Sequence, residues 1–267
     1  MFDGRDVIYC YDGSFEGLLS CVFVSFERRE CPCAVVSEEP EQLSLAEILR
    51  VETSHEKAER VLRAIPKKIS SEAEDIVKKA FLSCETGKDL LILEYLQKGF
   101  HYGRKILDML ADDTVNSINK AVLFCGNEAQ KMREFIRFSD YGGYLVSVIE
   151  PKNKVIPMIA GHFTDRLPNE NFLIFDKSHG MALIYYDHRA EIAENIEFEL
   201  PPATAEEQRY RELWRGFYNT IAIKERYNPR CRMNFMPKRY WAHMTEMCGD
   251  DGIVLEEITQ NCQKKLK

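Results

Sequence analysis

Residues 135–149 have the sequence FIRFSDYGGYLVSVI, and residues 172–186 have the sequence FLIFDKSHGMALIYY. Each stretch carries two short apolar runs separated by a turn that contains glycine, a pattern typical of a β-hairpin. Between them, residues 157–166 begin with proline and are predicted to form a helix, because proline is tolerated in a first helical turn. The order β-β-α-β-β favours an antiparallel sheet with a helix on one face, and therefore an α+β fold.

The N-terminal half of the chain is predicted to be helical after one short strand. Residues 7–11 (VIYCY) form an apolar run, Asp12 and Gly13 mark a turn, and Ser14 is a suitable N-cap. From residue 15 to residue 26, apolar side chains then recur at spacings of three and four. This spacing predicts one buried face of an amphipathic helix.

Further elements follow on both sides of the β-rich middle. Residues 34–36 (AVV) are predicted to add a second strand, and residues 55–110 to form successive helices that break at Gly87 and near Gly99. After Pro201 and Pro202, a capping-box sequence opens an aromatic helix. These boundaries predict three regions, which could also fold as one integrated domain: residues 1–112, residues 113–200 and residues 201–267.

The composition excludes several classes of protein. The chain has 267 residues, a net charge of −7 and a sequence pI near 5.5, so it carries no general basic coat for nucleic acid. No apolar run is long enough to cross a bilayer, and the N-terminus lacks the layout of a signal peptide, so we expect a cytoplasmic protein without a membrane partner. The nine cysteines match no common zinc or iron–sulfur spacing. We therefore predict no metal and no cofactor.

Residues 204–247, the C-terminal basic segment, reverse the charge of the chain. They hold nine basic and five acidic residues, a local net charge of +4, with aromatic residues between the charges. Basic side chains neutralise phosphates, and aromatic rings stack on unpaired bases. The predicted phosphate contacts are Arg226, Arg230, Arg232, Lys238 and Arg239, while Tyr240 and Trp241 are predicted to stack on a base or to hold the loops in place. The alternative is an amphipathic helix with its rings in the core and its arginines in solvent.

Four polar residues are weak candidates for acid–base catalysis. Asp12 follows the first strand, His162 lies on the predicted middle helix, and Asp187 and His188 follow the last strand of the β-β-α-β-β unit. Polar groups at strand ends can form general acid–base sites. The same residues are equally suited to turns and caps.

Several blocks of sequence together resemble one known family over almost the whole chain. They are Tyr11–Leu19, Arg133–Phe138, Pro157–Phe163, Phe172–Asp176, Leu213–Tyr218 and Arg230–Trp241. The set resembles a bacterial DNA metabolism or DNA repair family linked to a radical-SAM protein. The same domain of unknown function is also found fused to uracil-DNA-glycosylase-like domains. The resemblance implies a partner, a radical-SAM iron–sulfur protein that acts on DNA, and it supplies no catalytic residues.

Three functional hypotheses follow from these observations. The first is a nucleic-acid-associated accessory protein in DNA metabolism or repair, which binds DNA and works beside a radical-SAM partner. The second is a hydrolase or base-processing enzyme that uses the acid–base residues at strand ends. The third is a scaffold that binds only a protein.

Overall fold

The computed structural model describes residues 3–37, 46–200 and 202–247. The chain divides into two compact units, Met1–Asn127 and Glu128–Lys267. The predicted boundary at 112/113 lies inside the first unit, and the predicted boundary at 200/201 lies inside the second.

The first unit begins with a parallel sheet. Its elements are β1 (Asp3–Cys10), α1 (Phe15–Arg28), β2 (Glu30–Val36) and β3 (Glu47–Arg50). The strand order is β2-β1-β3, and both neighbours run parallel to β1. The predicted first two strands and first helix are confirmed, and the Ser14 hydroxyl caps α1 by accepting from the Gly17 N–H at 2.9 Å. Strand β3 was not predicted from the sequence.

Helices complete the first unit. They are α2 (His55–Lys68), α3 (Ser71–Leu82), α4 (Lys88–Tyr102) and α5 (Asp113–Phe135), the last of which continues into the second unit. Gly87 is the N-cap of α4, as its helix-breaking role predicts. The helix predicted to end near Gly99 continues three residues further, to Tyr102. Gly99 allows close packing there, since a Cβ at this position would lie 2.6 Å from Ile69 Cδ1.

The second unit contains a five-stranded sheet. Its elements are β4 (Ser139–Asp140), β5 (Tyr144–Ile149), α6 (Ile156–Arg166), β6 (Asn171–Asp176), β7 (Met181–Tyr186) and β8 (Arg189–Ala193). The strands are ordered β4-β5-β6-β7-β8. The mixed α+β class and the middle helix are confirmed.

Three details of the predicted β-β-α-β-β unit are corrected. Asp187 and His188 do not follow its last strand, because β8 comes after them and pairs with β7. The run FIRF is not a strand, because Phe135 still belongs to α5 and only Ser139 and Asp140 pair with β5. The sheet is also not wholly antiparallel. Helix α6 returns the chain to the edge where β5 began, so β6 pairs parallel to β5, while the other strand pairs are antiparallel.

Short helices end the described chain. They are α7 (Ala205–Ile221), α8 (Pro229–Phe235) and two 3₁₀ helices, Lys224–Arg226 and Lys238–His243. The predicted N-cap of α7 is confirmed, since the Thr204 hydroxyl accepts from the Glu207 N–H at 3.1 Å. Within the described ranges, no helix is both long enough and apolar enough to cross a membrane.

The Gly17→Ala substitution should destabilise the first unit. The added Cβ would lie 2.7 Å from Tyr11 Cδ2 and 2.9 Å from Thr53 Oγ1, and closer still to Asp12. We expect a loss of about 1–3 kcal/mol in the free energy of unfolding from this overpacking, measured by urea denaturation.

Gly126→Ala is the matched control. Its Cβ would meet no heavy atom within 4 Å in α5, so we expect a gain of about 0.5–1 kcal/mol from helix propensity. Equal stabilisation by both substitutions would contradict the close packing at Gly17.

Candidate nucleic-acid interface

Of the five predicted phosphate contacts, three are exposed and have no carboxylate partner within the described chain. Arg226 ends a 3₁₀ helix, Arg230 lies in α8, and Lys238 begins the last 3₁₀ helix; all three are exposed. Within the described chain, neither Arg226 nor Arg230 forms an ion pair. The structure therefore leaves their charges available to an anion.

Arg239 and Tyr240 instead form part of a buried network around Glu128. A guanidinium nitrogen of Arg239 lies 2.8 Å from Glu128 Oε1, and the Tyr240 hydroxyl donates to the same oxygen at 2.6 Å. The other oxygen accepts from the Asn153 backbone and side-chain N–H groups at 2.7 and 2.6 Å, and from the Lys152 N–H at 3.0 Å. Burial raises the pKa of Glu128, but the hydrogen bonds from Tyr240, Asn153 and Lys152 outweigh it and hold the pKa below its usual value.

Arg232 and Trp241 likewise hold the C-terminal loops together. The Arg232 guanidinium lies over the rings of Tyr218 and Trp241, with centroid distances of 5.6 and 5.4 Å. Trp241 is only 8% exposed, and its indole N–H donates to the Met236 carbonyl at 2.9 Å. Of the two roles predicted for Tyr240 and Trp241, this burial favours holding the loops over stacking on a base.

Helix α7 shows the opposite arrangement, because its apolar face is exposed. The exposed fractions are 58% for Tyr210, 61% for Leu213, 42% for Trp214, 55% for Phe217 and 57% for Ile221. These residues follow helical spacing, so they form one continuous stripe. The alternative of an amphipathic helix with its rings in the core therefore does not describe these five positions. Exposed apolar stripes mark interaction surfaces.

A cleft of about 800 Å³ lies between the end of α5 and helix α6, and we call it the α6 cleft. Its charged walls are Arg133, Arg137 and Arg166, with Glu134 as the acidic member, and His162 and Phe138 line it as well. Arg133 donates to the Met158 carbonyl at 2.6 Å and to the Gln130 side chain at 3.2 Å. In the described parts of the chain, neither Arg133 nor Arg166 has a carboxylate partner.

A second cleft of about 500 Å³, the α7 cleft, shares Arg137 and Phe138 with the first. Tyr210, Arg211 and Trp214 of α7 line it. The two clefts thus form one surface with four arginines and exposed rings, which we call the arginine–ring surface. Cations beside flat rings suit a single-stranded polyanion.

Two of these arginines are held by carboxylates. Arg137 lies 2.6 Å from Glu246, whose other oxygen accepts from the Trp214 indole at 3.2 Å. Burial raises the pKa of Glu246, but the hydrogen bond from Arg137 outweighs it and lowers the pKa overall. Arg211 donates to Glu207 at 2.7 Å. These pairs fix the shape of the α7 cleft, and they leave Arg133 and Arg166 as the cations without a carboxylate partner.

The four acid–base candidates do not form one site. Asp12 belongs to the first unit, where it accepts from Ser14 N–H and Thr53 hydroxyl groups at 2.9 and 2.8 Å. Burial opposes the effect of these bonds, yet the pKa of Asp12 stays below its usual value. In the second unit, only His162 lines the α6 cleft.

Asp187 and His188 are turn residues. They have φ values of 48° and 60° and connect β7 to β8. Positive φ at both central positions identifies a type I′ hairpin turn, which matches the twist of the flanking strands. Their side chains are exposed at the tip of the hairpin. Their turn role, one of the two alternatives from sequence, is therefore the one that the backbone shows.

Sequence reasoning missed two groups of residues. It did not assign Arg133, Arg137 and Arg166 to one site, although Arg133 lies in the last turn of α5 and Arg137 follows two residues after that helix ends. It also missed the buried Asp176, which orients His179 Nδ1 at 2.7 Å in the β6–β7 turn. Within the described ranges, no group of three His, Cys, Asp or Glu side chains could hold a metal ion.

Comparison with protein families gives one match, in which residues 86–246 fit a family described as a domain of unknown function, DUF4130. Comparison with curated proteins and with solved structures gives no match. The matched residues contain both clefts and the Glu128 network.

Removing the Glu128 carboxylate should destabilise the second unit. Glu128→Ala leaves Arg239, Tyr240 and Asn153 without their shared acceptor, so we expect a loss of about 3–5 kcal/mol in unfolding free energy. Because the pKa of Glu128 is lowered by folding, its stabilisation is complete above the ordinary glutamate pKa and is lost as the pH falls through the folded-state pKa.

The measurement is denaturation of wild type and Glu128→Gln across acidic and neutral pH. As the pH falls below the ordinary glutamate pKa, the free energy of unfolding should decrease more for the wild type than for the variant. Equal slopes for both proteins would contradict the assignment.

Proposed function

The chain belongs to the DUF4130 family, and we propose that it is a nucleic-acid-associated accessory protein whose second unit binds single-stranded DNA. The observation that carries this proposal is the arginine–ring surface. Arg133 and Arg166, which have no carboxylate partner within the described chain, line its α6 cleft. The exposed rings of Tyr210 and Trp214 line its α7 cleft, and both clefts include Arg137 and Phe138. This surface differs from the one predicted from sequence. Of that predicted surface, Arg226, Arg230 and Lys238 remain as exposed charges.

The charge balance favours local over general contact with DNA. The whole chain carries −7, so a duplex passing over a wide area would meet net repulsion. A single strand that lies in a cleft contacts the local arginines rather than the whole acidic surface. Its unpaired bases can also stack on the exposed rings of α7, which paired bases cannot do.

The exposed stripe of α7 supports a second contact, with a protein. Leu213, Phe217 and Ile221 are aliphatic or aromatic, and nucleic acid offers no comparable apolar surface for the two aliphatic side chains. The sequence resemblance supplies the partner, a radical-SAM iron–sulfur protein. In this arrangement the chain holds a strand and a partner on neighbouring parts of one helix.

The DNA-binding proposal is tested by titration with a fluorescent single-stranded oligonucleotide at several salt concentrations. Replacing Arg133 and Arg166 together by alanine should weaken binding and lower the salt slope by about 1.4, since each lost phosphate contact on a single strand removes about 0.7. Tyr210→Ala should weaken binding by about 1–3 kcal/mol with little change in salt slope, because it removes a stacking platform.

Arg189→Ala is the matched control, because Arg189 is an exposed arginine of the same unit that lines neither cleft. It should bind as the wild type does. No binding by the wild type at low salt, or equal losses in Arg189→Ala and the double variant, would overturn the proposal.

The protein contact is tested by co-expression with the radical-SAM protein. Phe217→Asp should lower recovery of the complex at least tenfold, since a charge would have to be buried at the centre of the interface. Leu123→Asp changes an apolar residue of the first unit that is 64% exposed, against 55% for Phe217, and should leave recovery unchanged. Equal recovery with both variants and wild type would count against α7 as the docking helix.

A further inference from the structure

The first unit contains a cavity of about 510 Å³ that the proposed DNA contact does not use. It is bounded by α1, β2, α4 and the start of α5. Its lining includes the rings of Phe26, Phe100, His101 and Tyr102. Phe26 and Phe100 meet edge to face with centroids 5.4 Å apart, and Tyr102 is 43% exposed at the mouth. This size and lining are those of a small-molecule site.

A carboxylate faces this cavity with one oxygen available. Glu94 Oε2 accepts from the Thr114 hydroxyl at 3.2 Å, and within the described ranges Oε1 has no hydrogen-bond partner. Thr114 is itself fixed, because it accepts from Lys98 at 2.9 Å while Lys98 is bound by both oxygens of Asp112 at 2.7 Å. The chain of contacts orients Glu94 before any ligand arrives.

A second acceptor lies one helical turn from the first. The Gln97 amide nitrogen donates to Ser25 Oγ at 3.0 Å and to the Glu30 carbonyl at 3.1 Å. Those bonds fix which end of the amide is the oxygen, and within the described chain that oxygen accepts no hydrogen bond. Residues three apart on a helix share a face, so Glu94 and Gln97 present acceptors to the same cavity.

The carboxylates of the cavity disfavour an anionic ligand, with His101 as a further polar group of the lining. Lys98 is consumed by Asp112 and Thr114, so the cavity retains the negative charges of Glu94 and Asp113. Burial and the charge of Glu94 raise the pKa of the Cys31 thiol to about 11, so Cys31 is a neutral group at physiological pH. The site therefore offers hydrogen-bond acceptors and ring faces, which are complementary to a flat ligand that carries hydrogen-bond donors.

We propose that this cavity binds a planar nitrogen heterocycle with two adjacent N–H donors, of the kind that the pairing edge of guanine presents. A ring N–H beside an exocyclic amine suits a bidentate pair with a carboxylate: one donor binds Glu94 Oε1, and the other binds the second lone pair of Oε2, whose first lone pair accepts from Thr114. The ring itself would lie against Phe100 and Tyr102. Adenine and cytosine place an acceptor beside their amine, so they would set that acceptor against the Glu94 carboxylate.

The experiment uses guanosine and inosine as probes in calorimetric titrations of the full-length protein. Inosine keeps the ring N–H and lacks the exocyclic amine, so it should bind at least tenfold more weakly than guanosine. Glu94→Gln should weaken guanosine binding at least tenfold and reduce its preference over inosine. Glu56→Gln, a change at an exposed glutamate of the same unit, should bind as the wild type does.

Tyr102→Ala provides a second variant at a position exposed enough to tolerate truncation, with folding checked by thermal melting. It should weaken guanosine and inosine by the same factor, because it removes a ring wall and no acceptor. The proposal is overturned if guanosine shows no saturable binding in the millimolar range, if inosine binds equally well, or if a folded Glu94→Gln binds as the wild type does. These outcomes leave the DNA proposal untouched, since it concerns the second unit.

Discussion

The buried carboxylate of Glu128 determines the course of the C-terminal chain in the second unit. It accepts hydrogen bonds from Lys152 and Asn153, in the segment between β5 and α6, and from Arg239 and Tyr240 near the end of the described chain. A charge removed from water is tolerated only when its oxygens are fully engaged, so each of these donors is held in place. This arrangement explains why Arg239 and Tyr240 stabilise the fold.

This constraint also determines which of the other C-terminal cations and rings are enclosed and which are exposed. With Tyr240 fixed, Trp241 is enclosed against Met236 and Arg232, and the short helices before it carry Arg226 and Arg230 at the surface. The aromatic residues Tyr240 and Trp241 are therefore buried among the C-terminal loops, whereas the rings of α7 are exposed to solvent. An aromatic stripe is usually core, so its exposure on α7 is informative about binding.

The two units offer opposite chemistry to ligands. In the second unit, the arginines of the α6 and α7 clefts present donors and positive charge, which suits phosphates. In the first unit, Glu94 and Gln97 present acceptors between rings, which suits a flat donor. Beside each site, a partly buried ion pair orients some of the side chains that line it. Arg137 with Glu246 does this in the second unit, and Lys98 with Asp112 does it in the first.

Local patterns in the sequence determined the helices, most of the strands and the caps at Ser14, Gly87 and Thr204, because these depend on residues within about four positions of one another. They also identified Asp187 and His188 as turn formers. The parallel pairing of β5 with β6 and the exposed face of α7 were decided only by tertiary structure. So was the pairing of Arg239 with the buried Glu128, which lies 111 positions away in sequence. Charge and hydropathy patterns indicate whether a side chain favours water or the core. Its actual burial and pairing depend on which distant segment packs against it in the folded chain.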